Sequence, residues 1–159
     1  MDVRMINPFL SGTIKVLTTM AMIEPTPGKP FVKQDECAMG IVSAVIPISG
    51  DATGTMALTF TESCIRAVVH GLLGVEDNEI DDYVQDAVGE LTNMICGYAR
   101  ARLREEGFSL VAGIPSIVTG KGHLIEHAIG GPRLAIPFET PHGPFMVEVV
   151  MSAKIDLAS

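Results

Sequence analysis

Positive charge is scarce in this 159-residue chain: 11 Lys and Arg stand against 19 Asp and Glu, a formal net charge of −8. That balance argues against a nucleic-acid partner, because phosphate backbones are held by a basic face. A partner with exposed lysines suits an acidic protein better. Cysteine is equally sparse. Cys37, Cys64 and Cys96 form no short-range pair and are odd in number, which fits reduced thiols in a cytoplasm, packed as small core residues. No stretch reaches 18 uninterrupted apolar residues, so no membrane span is expected. The apolar first 23 residues are interrupted by Lys15 and lack a small-residue cleavage site before Pro25, so they read as folded protein rather than a signal peptide. With 47% apolar and 19% charged residues, the chain is neither disordered, collagen-like nor a coiled coil. Its length suits a single domain over residues 1–159.

Hydrophobic spacing predicts a first helix over residues 8–23, with Pro8 at its start and Pro25 and Pro27 beyond its end. Residues 31–48 and 55–60 are rich in Val, Ile, Thr and Ala and read as strands joined by a turn through Gly50 and Gly54. Thr61 or Ser63 caps a second helix that Gly74 ends. The acidic run from Glu76 to Asp82 opens a long helix with Asn78 as N-cap, and Arg100, Arg102, Arg104 and Gly107 mark its far end. A strand over 108–118, a glycine-rich passage over 120–131 and a hairpin of 134–138 with 145–151 complete the chain. Ile46-Pro47 with its following strand is echoed by Ile136-Pro137. Two halves of helix plus strands imply an α+β fold, with about six mostly antiparallel strands and helices on one face.

On a helical wheel for residues 79–106, Val84, Val88, Leu91, Ile95, Tyr98 and Arg102 face the core. The opposite stripe carries Asp82, Asp86, Glu90, Asn93, Gly97, Arg100 and Arg104, and Glu90 and Asn93 share one surface patch. Gly89 and Gly97 flank it. A glycine inside a helix costs about 1 kcal/mol relative to alanine, so close approach of another backbone or a tight strand crossing is the expected reason for both.

Asp86-x-x-x-Glu90-x-x-Asn93 with Pro115 downstream resembles the signature of the CheC/CheX/FliY phosphatases, which remove phosphate from the chemotaxis regulator CheY. The single motif, the opening Ile6-Asn7-Pro8-Phe9 helix and the segment Gly28-Lys29-Pro30-Phe31-Val32 are most similar to CheX-type members. Residues 6–22 contain no Glu, so one active surface per chain is expected. The resemblance implies a cytoplasmic homodimer without a cofactor of its own, acting on a phosphorylated CheY-like receiver that supplies Mg2+. It assigns catalysis to Asn93 and Glu90. Asn93 orients the hydrolytic water, a task suited to an amide that accepts through its carbonyl and donates through its NH₂. Glu90 pairs with the receiver's active-site lysine, Asp86 extends the docking stripe, and Gly97 lets the partner approach. A non-catalytic receiver-binding or flagellar-switch-like module on the same scaffold is the alternative.

Other motifs carry less. His123-x-x-Glu126-His127 matches the inverted zincin pattern, but the flanking glycines leave room for barely two helical turns. Gly120-Lys121-Gly122 lacks the full phosphate-loop pattern and reads as a turn. Cys64 and His70 fall on different sides of a short helix, so no thiol nucleophile is expected there.

Overall fold

The structure, a computed structural model, describes residues 3–153. In chain order its elements are α1 (Val3–Met20), β1 (Thr26–Pro27), β2 (Phe31–Lys33), β3 (Val42–Gly50), β4 (Ala52–Phe60), α2 (Glu62–Leu73), a 3₁₀ segment (Asp77–Tyr83), α3 (Val84–Glu105), β5 (Leu110–Ala112), β6 (Ser116–Thr119), β7 (Arg133–Glu139) and β8 (Phe145–Ala153). The strands form one antiparallel sheet in the order β1-β7-β8-β4-β3-β5, with β2 also beside β7 and β6 beside β3. The fold is thus α+β as expected, with eight strands rather than about six.

Period-two alternation builds the core. Val42, Ala44 and Ile46 stand opposite Phe60, Leu58 and Met56, and those three in turn oppose Phe145, Val147 and Val149. All are buried in one apolar cluster with helix residues such as Phe9, Leu17, Val88, Leu91 and Ile95. Phe60, Phe145 and Phe138 run in a row across β4, β8 and β7, with centroid separations of 5.0 and 4.8 Å, within the range favoured by aromatic pairs.

The internal echo is a pseudo-twofold arrangement about the β4/β8 pair. Each hairpin's outer strand, β3 or β7, contains a proline that lacks an N–H to offer an edge neighbour. The edge strand breaks opposite each one. Gly113 donates to the Pro47 carbonyl at 2.8 Å, and Gly28 to the Pro137 carbonyl at 2.7 Å. A Cβ at Gly113 would stand 2.7 Å from Pro47 Cγ, and one at Gly28 would stand 3.0 Å from Pro137 Cγ. Residues 108–118 are therefore two short strands joined by the arch Gly113-Ile114-Pro115, not the single strand expected. Likewise, residues 34–41 form a loop between β2 and β3.

Helix boundaries also differ from expectation. α1 begins at Val3, leaving Pro8 inside it, and ends at Met20. Its end is closed by Met22 in the left-handed region (φ 58) and by the Ile23 N–H bonding the Leu17 carbonyl at 3.1 Å, a cap more often made with glycine. α2 ends at left-handed Gly74 (φ 68) as anticipated. Thr61 is its N-cap residue, yet its hydroxyl donates to the Pro144 carbonyl at 2.8 Å rather than capping. The acidic run does not start α3, and Asn78 is not its cap. Arg66 bonds Asp81 Oδ1 at 2.6 Å and the Asp77 carbonyl at 2.9 Å, pinning the run as a separate 3₁₀ segment against α2.

The other sheet face mixes polar with small and apolar residues and lies under loops. Ser43 and Thr59 oppose each other, and Glu148 stands between Ala57 and Ala135. Ser43 Oγ contacts Thr59 Oγ1 at 2.7 Å and His123 Nε2 at 2.6 Å. Glu148, 1% exposed, takes Lys33 Nζ on Oε2 at 2.9 Å and His127 Nε2 on Oε1 at 3.1 Å. Lys33 Nζ also donates to the Cys37 carbonyl. This triad fastens the loops over residues 34–38 and 120–131 to the sheet.

Candidate active surface

α3 presents the candidate residues because its two flanks are occupied. α1 packs along one side and β3, β4, β5 and β6 lie beneath the other. The buried arc is correspondingly wide, taking in Val88, Leu91, Thr92, Ile95, Cys96, Ala99 and Leu103. Arg102, expected in the core, is exposed with its guanidinium 5.8 Å from the Tyr98 ring centroid. What remains open is a narrow ridge. Asp86, Glu90 and Asn93 are exposed, and Gly97, one turn beyond Asn93, is half-buried. Arg100 leaves the ridge to donate to the Leu110 carbonyl at 3.1 Å.

Among the described residues, neither the Glu90 carboxylate nor the Asn93 carboxamide is held by another side chain or by the backbone. Three residues apart on one helix face, they project to the same side with full hydrogen-bonding capacity. The glycines divide. A Cβ at Gly89 would meet Ile117 Cδ1 at 3.5 Å and Pro115 Cγ at 4.0 Å, ordinary contacts, while at Gly97 nothing lies within 4 Å. The tight crossing of α1 and α3 is at Gly12, where a Cβ would stand 2.9 Å from Tyr98 Cδ1 and 3.3 Å from the Ile95 carbonyl. The fold itself does not call for glycine at 97. Pro115 Cγ lies 4.0 Å from where a Cβ at Gly89 would stand, which is its link to α3.

The inverted zincin pattern lies in a loop. His123 Nε2 contacts Ser43 and its Nδ1 contacts the Gly120 carbonyl, both at 2.6 Å, whereas His127 turns to Glu148. The two imidazoles do not converge, and no group of three metal-ligating side chains gathers among the described residues. Burial pushes the Cys64 and Cys96 thiols up to about 11, opposed weakly by Thr140 and Arg100 respectively, so both stay protonated at neutral pH. Cys37, expected inside, is exposed, because its loop lies on the outer sheet face. His70 is exposed and contacts the Val75 carbonyl at 3.1 Å, away from buried Cys64.

Sequence reading missed the Lys33, Glu148 and His127 triad. Its one signal was a glutamate amid the apolar residues of 145–151, which an alternating strand places on the face away from the helices.

Residues 42–139 match the family model of chemotaxis phosphatase CheX. The chain belongs to this family. A Thermotoga maritima protein named CheY-P phosphatase CheX is 30% identical over 123 residues, which are 76% of this chain and 79% of the relative. The crystal structure of a chemotaxis protein CheX from Desulfovibrio desulfuricans aligns with 93% of this chain and 99% of its own, with 46% identity and a TM-score of 0.86. A chain from the crystal structure of the CheX-CheY-BeF3-Mg2+ complex of Borrelia burgdorferi covers 92% of this chain and 96% of its own, with 25% identity and a TM-score of 0.78. The CheX-type resemblance read from the motif is borne out.

Proposed function

We propose that residues 1–159 act as one domain that hydrolyses the phosphoaspartate of a CheY-like receiver, with Asn93 orienting the water. The observation that carries this reading is the unpartnered Glu90 and Asn93 pair on the α3 ridge. Its support is the Thermotoga relative's name and the Borrelia complex, in which beryllofluoride stands in for the phosphoryl group and Mg2+ accompanies CheY.

The chemistry follows from what each partner brings. The receiver's Mg2+ offsets phosphoryl charge. Asn93 Oδ1 accepts a hydrogen bond from water while Nδ2 donates to a phosphoryl oxygen, aligning the water opposite the carboxylate leaving group. The water oxygen bonds phosphorus, the bond to the aspartyl oxygen breaks with its electron pair going to the carboxylate, and inorganic phosphate leaves, a proton of the attacking water passing to a phosphoryl oxygen. A neutral amide suits this position, because a carboxylate would be repelled by the phosphoryl oxygens. Glu90, one turn earlier, pairs with the receiver's lysine, and Asp86 continues the negative stripe. The homodimer and the cytoplasmic location belong to the same proposal, and sedimentation at working concentration tests the dimer.

The deciding experiment mixes the protein with a phosphorylated CheY-like receiver and follows phosphate release. Accelerated release is expected. Binding without acceleration would mark a non-catalytic receiver-binding module instead. Glu90→Ala is expected to raise the apparent KM and flatten its dependence on salt, because one screened charge pair is lost. An unchanged KM and salt profile removes Glu90 from docking. Gly97→Ala is expected to stabilise the chain by up to about 1 kcal/mol in urea unfolding, since a helical alanine replaces glycine in open space. Turnover is expected to fall as the added methyl meets the receiver. Full activity in the stabilised variant would show that nothing approaches that position.

A further inference from the structure

The two mirrored arches at the sheet edges differ in one residue that folding does not explain. Gly28-Lys29-Pro30 and Gly113-Ile114-Pro115 share the glycine bond to a strand proline and the proline that follows. At the middle position one arch carries exposed Lys29, while the other carries Ile114, 86% exposed. Lysine is what water favours at such a tip. Isoleucine there stabilises nothing within the chain. Its arch is the one beside α3, where Pro115 lies against Gly89, the neighbour of Glu90. Val111, 57% exposed, lies just before the same arch.

We infer that Ile114 is an apolar anchor for the receiver domain, seated at the rim of the ridge that carries Glu90 and Asn93. This rests on the phosphatase reading above and adds a specificity residue to it. A specific interface covers about 800 Å² on each partner. A footprint of that size centred on Glu90 and Asn93 extends over the neighbouring arch. Asp82, Asp86 and Glu90 supply charge that screens and exchanges readily with water. A desolvated aliphatic side chain beside them supplies affinity that salt does not remove. The partner surface is therefore an apolar depression next to the lysine that Glu90 engages, on the rim of the receiver's phosphorylation site. Lys29 in the opposite arch has no such ridge beside it, because α1 lacks the Glu and Asn pair.

The test measures phosphate release over a range of concentrations of a CheY-like receiver phosphorylated by acetyl phosphate in Mg2+. The unaltered chain is compared with Ile114→Ala, Ile114→Asp and Lys29→Ala. Both Ile114 variants remain folded on this reading, since the side chain is exposed, and their unfolding midpoints check it. KM is expected to rise roughly tenfold for Ile114→Ala and further for Ile114→Asp, with kcat retained and Lys29→Ala unchanged. The rise for Ile114→Ala should persist at high salt. An unaltered KM in Ile114→Asp, or an equal rise in Lys29→Ala, overturns the anchor while turnover by the parent chain leaves the phosphatase reading in place. No turnover by the parent removes both.

Discussion

Asn93→Ala is expected to slow phosphate release from a phosphorylated receiver by roughly 100-fold or more, with little change in receiver affinity. The size follows from the role. When catalysis is mostly alignment, loss of the aligning group returns the water to random orientation, and even a misplacement of about 1 Å costs roughly 100-fold. Affinity is expected to be spared because the ridge keeps Glu90 and Asp86 and the neighbouring arch keeps Ile114. Release assays at saturating receiver, paired with binding to a beryllofluoride-activated receiver, separate the two effects. Asn93→Ala turning over at the parental rate would remove Asn93 from the chemistry. Equal losses of binding and turnover would make it a docking residue only. Since Asn93 is exposed, its loss leaves the core intact and the readout is not confounded by unfolding.

Lys33→Met is expected to destabilise the fold by about 3–5 kcal/mol, because it leaves the buried Glu148 carboxylate with His127 alone. Burial pushes the Glu148 pKa up, but the hydrogen bonds and charges of His127 and Lys33 outweigh it and hold the carboxyl below the ordinary glutamate value. A carboxylate with a depressed folded pKa adds stability above its unfolded pKa, and that stability disappears as pH falls through the folded value. Urea midpoints of the parent should therefore hold from neutral pH down to about 4.5 as far as this group is concerned, then decline. In Glu148→Gln the decline below pH 4.5 should be shallower, and stability at neutral pH lower, since Lys33, 9% exposed, keeps only the exposed Asp35 carboxylate at 3.6 Å as counter-charge. Equal stability of Lys33→Met and the parent at neutral pH would show that the triad does not hold the loops down.

Where the sequence was legible, the signal was local. Gly74 and Gly107 marked helix ends because the left-handed backbone conformation there favours glycine itself. The hairpin of β7 with β8 followed from alternation, which assigns each residue a face without reference to the rest of the chain. The patch at Glu90 and Asn93 was legible for the same reason, since helical spacing fixes which side chains are neighbours. Errors arose where a distant partner decided. Asn78 lost its cap role to Arg66, twelve residues earlier. Arg102 faced water because α1 and the sheet shifted the buried arc of α3 toward Thr92, Cys96 and Ala99. Residues 108–118 broke because Pro47, on another strand, has no N–H to offer.

The sequence by itself determined the acidic balance, the α+β class, the ridge motif and the family resemblance, all of which depend on composition or on spacing within one element. Only the tertiary structure decided that Gly12 rather than Gly97 is the helix crossing, that Glu148 is buried between Lys33 and His127, and that Ile114 stands exposed in the arch between β5 and β6. Each of those turns on what lies across a gap between elements far apart in the chain. Packing and desolvation act on atoms adjacent in space, and spacing along a sequence does not encode that adjacency.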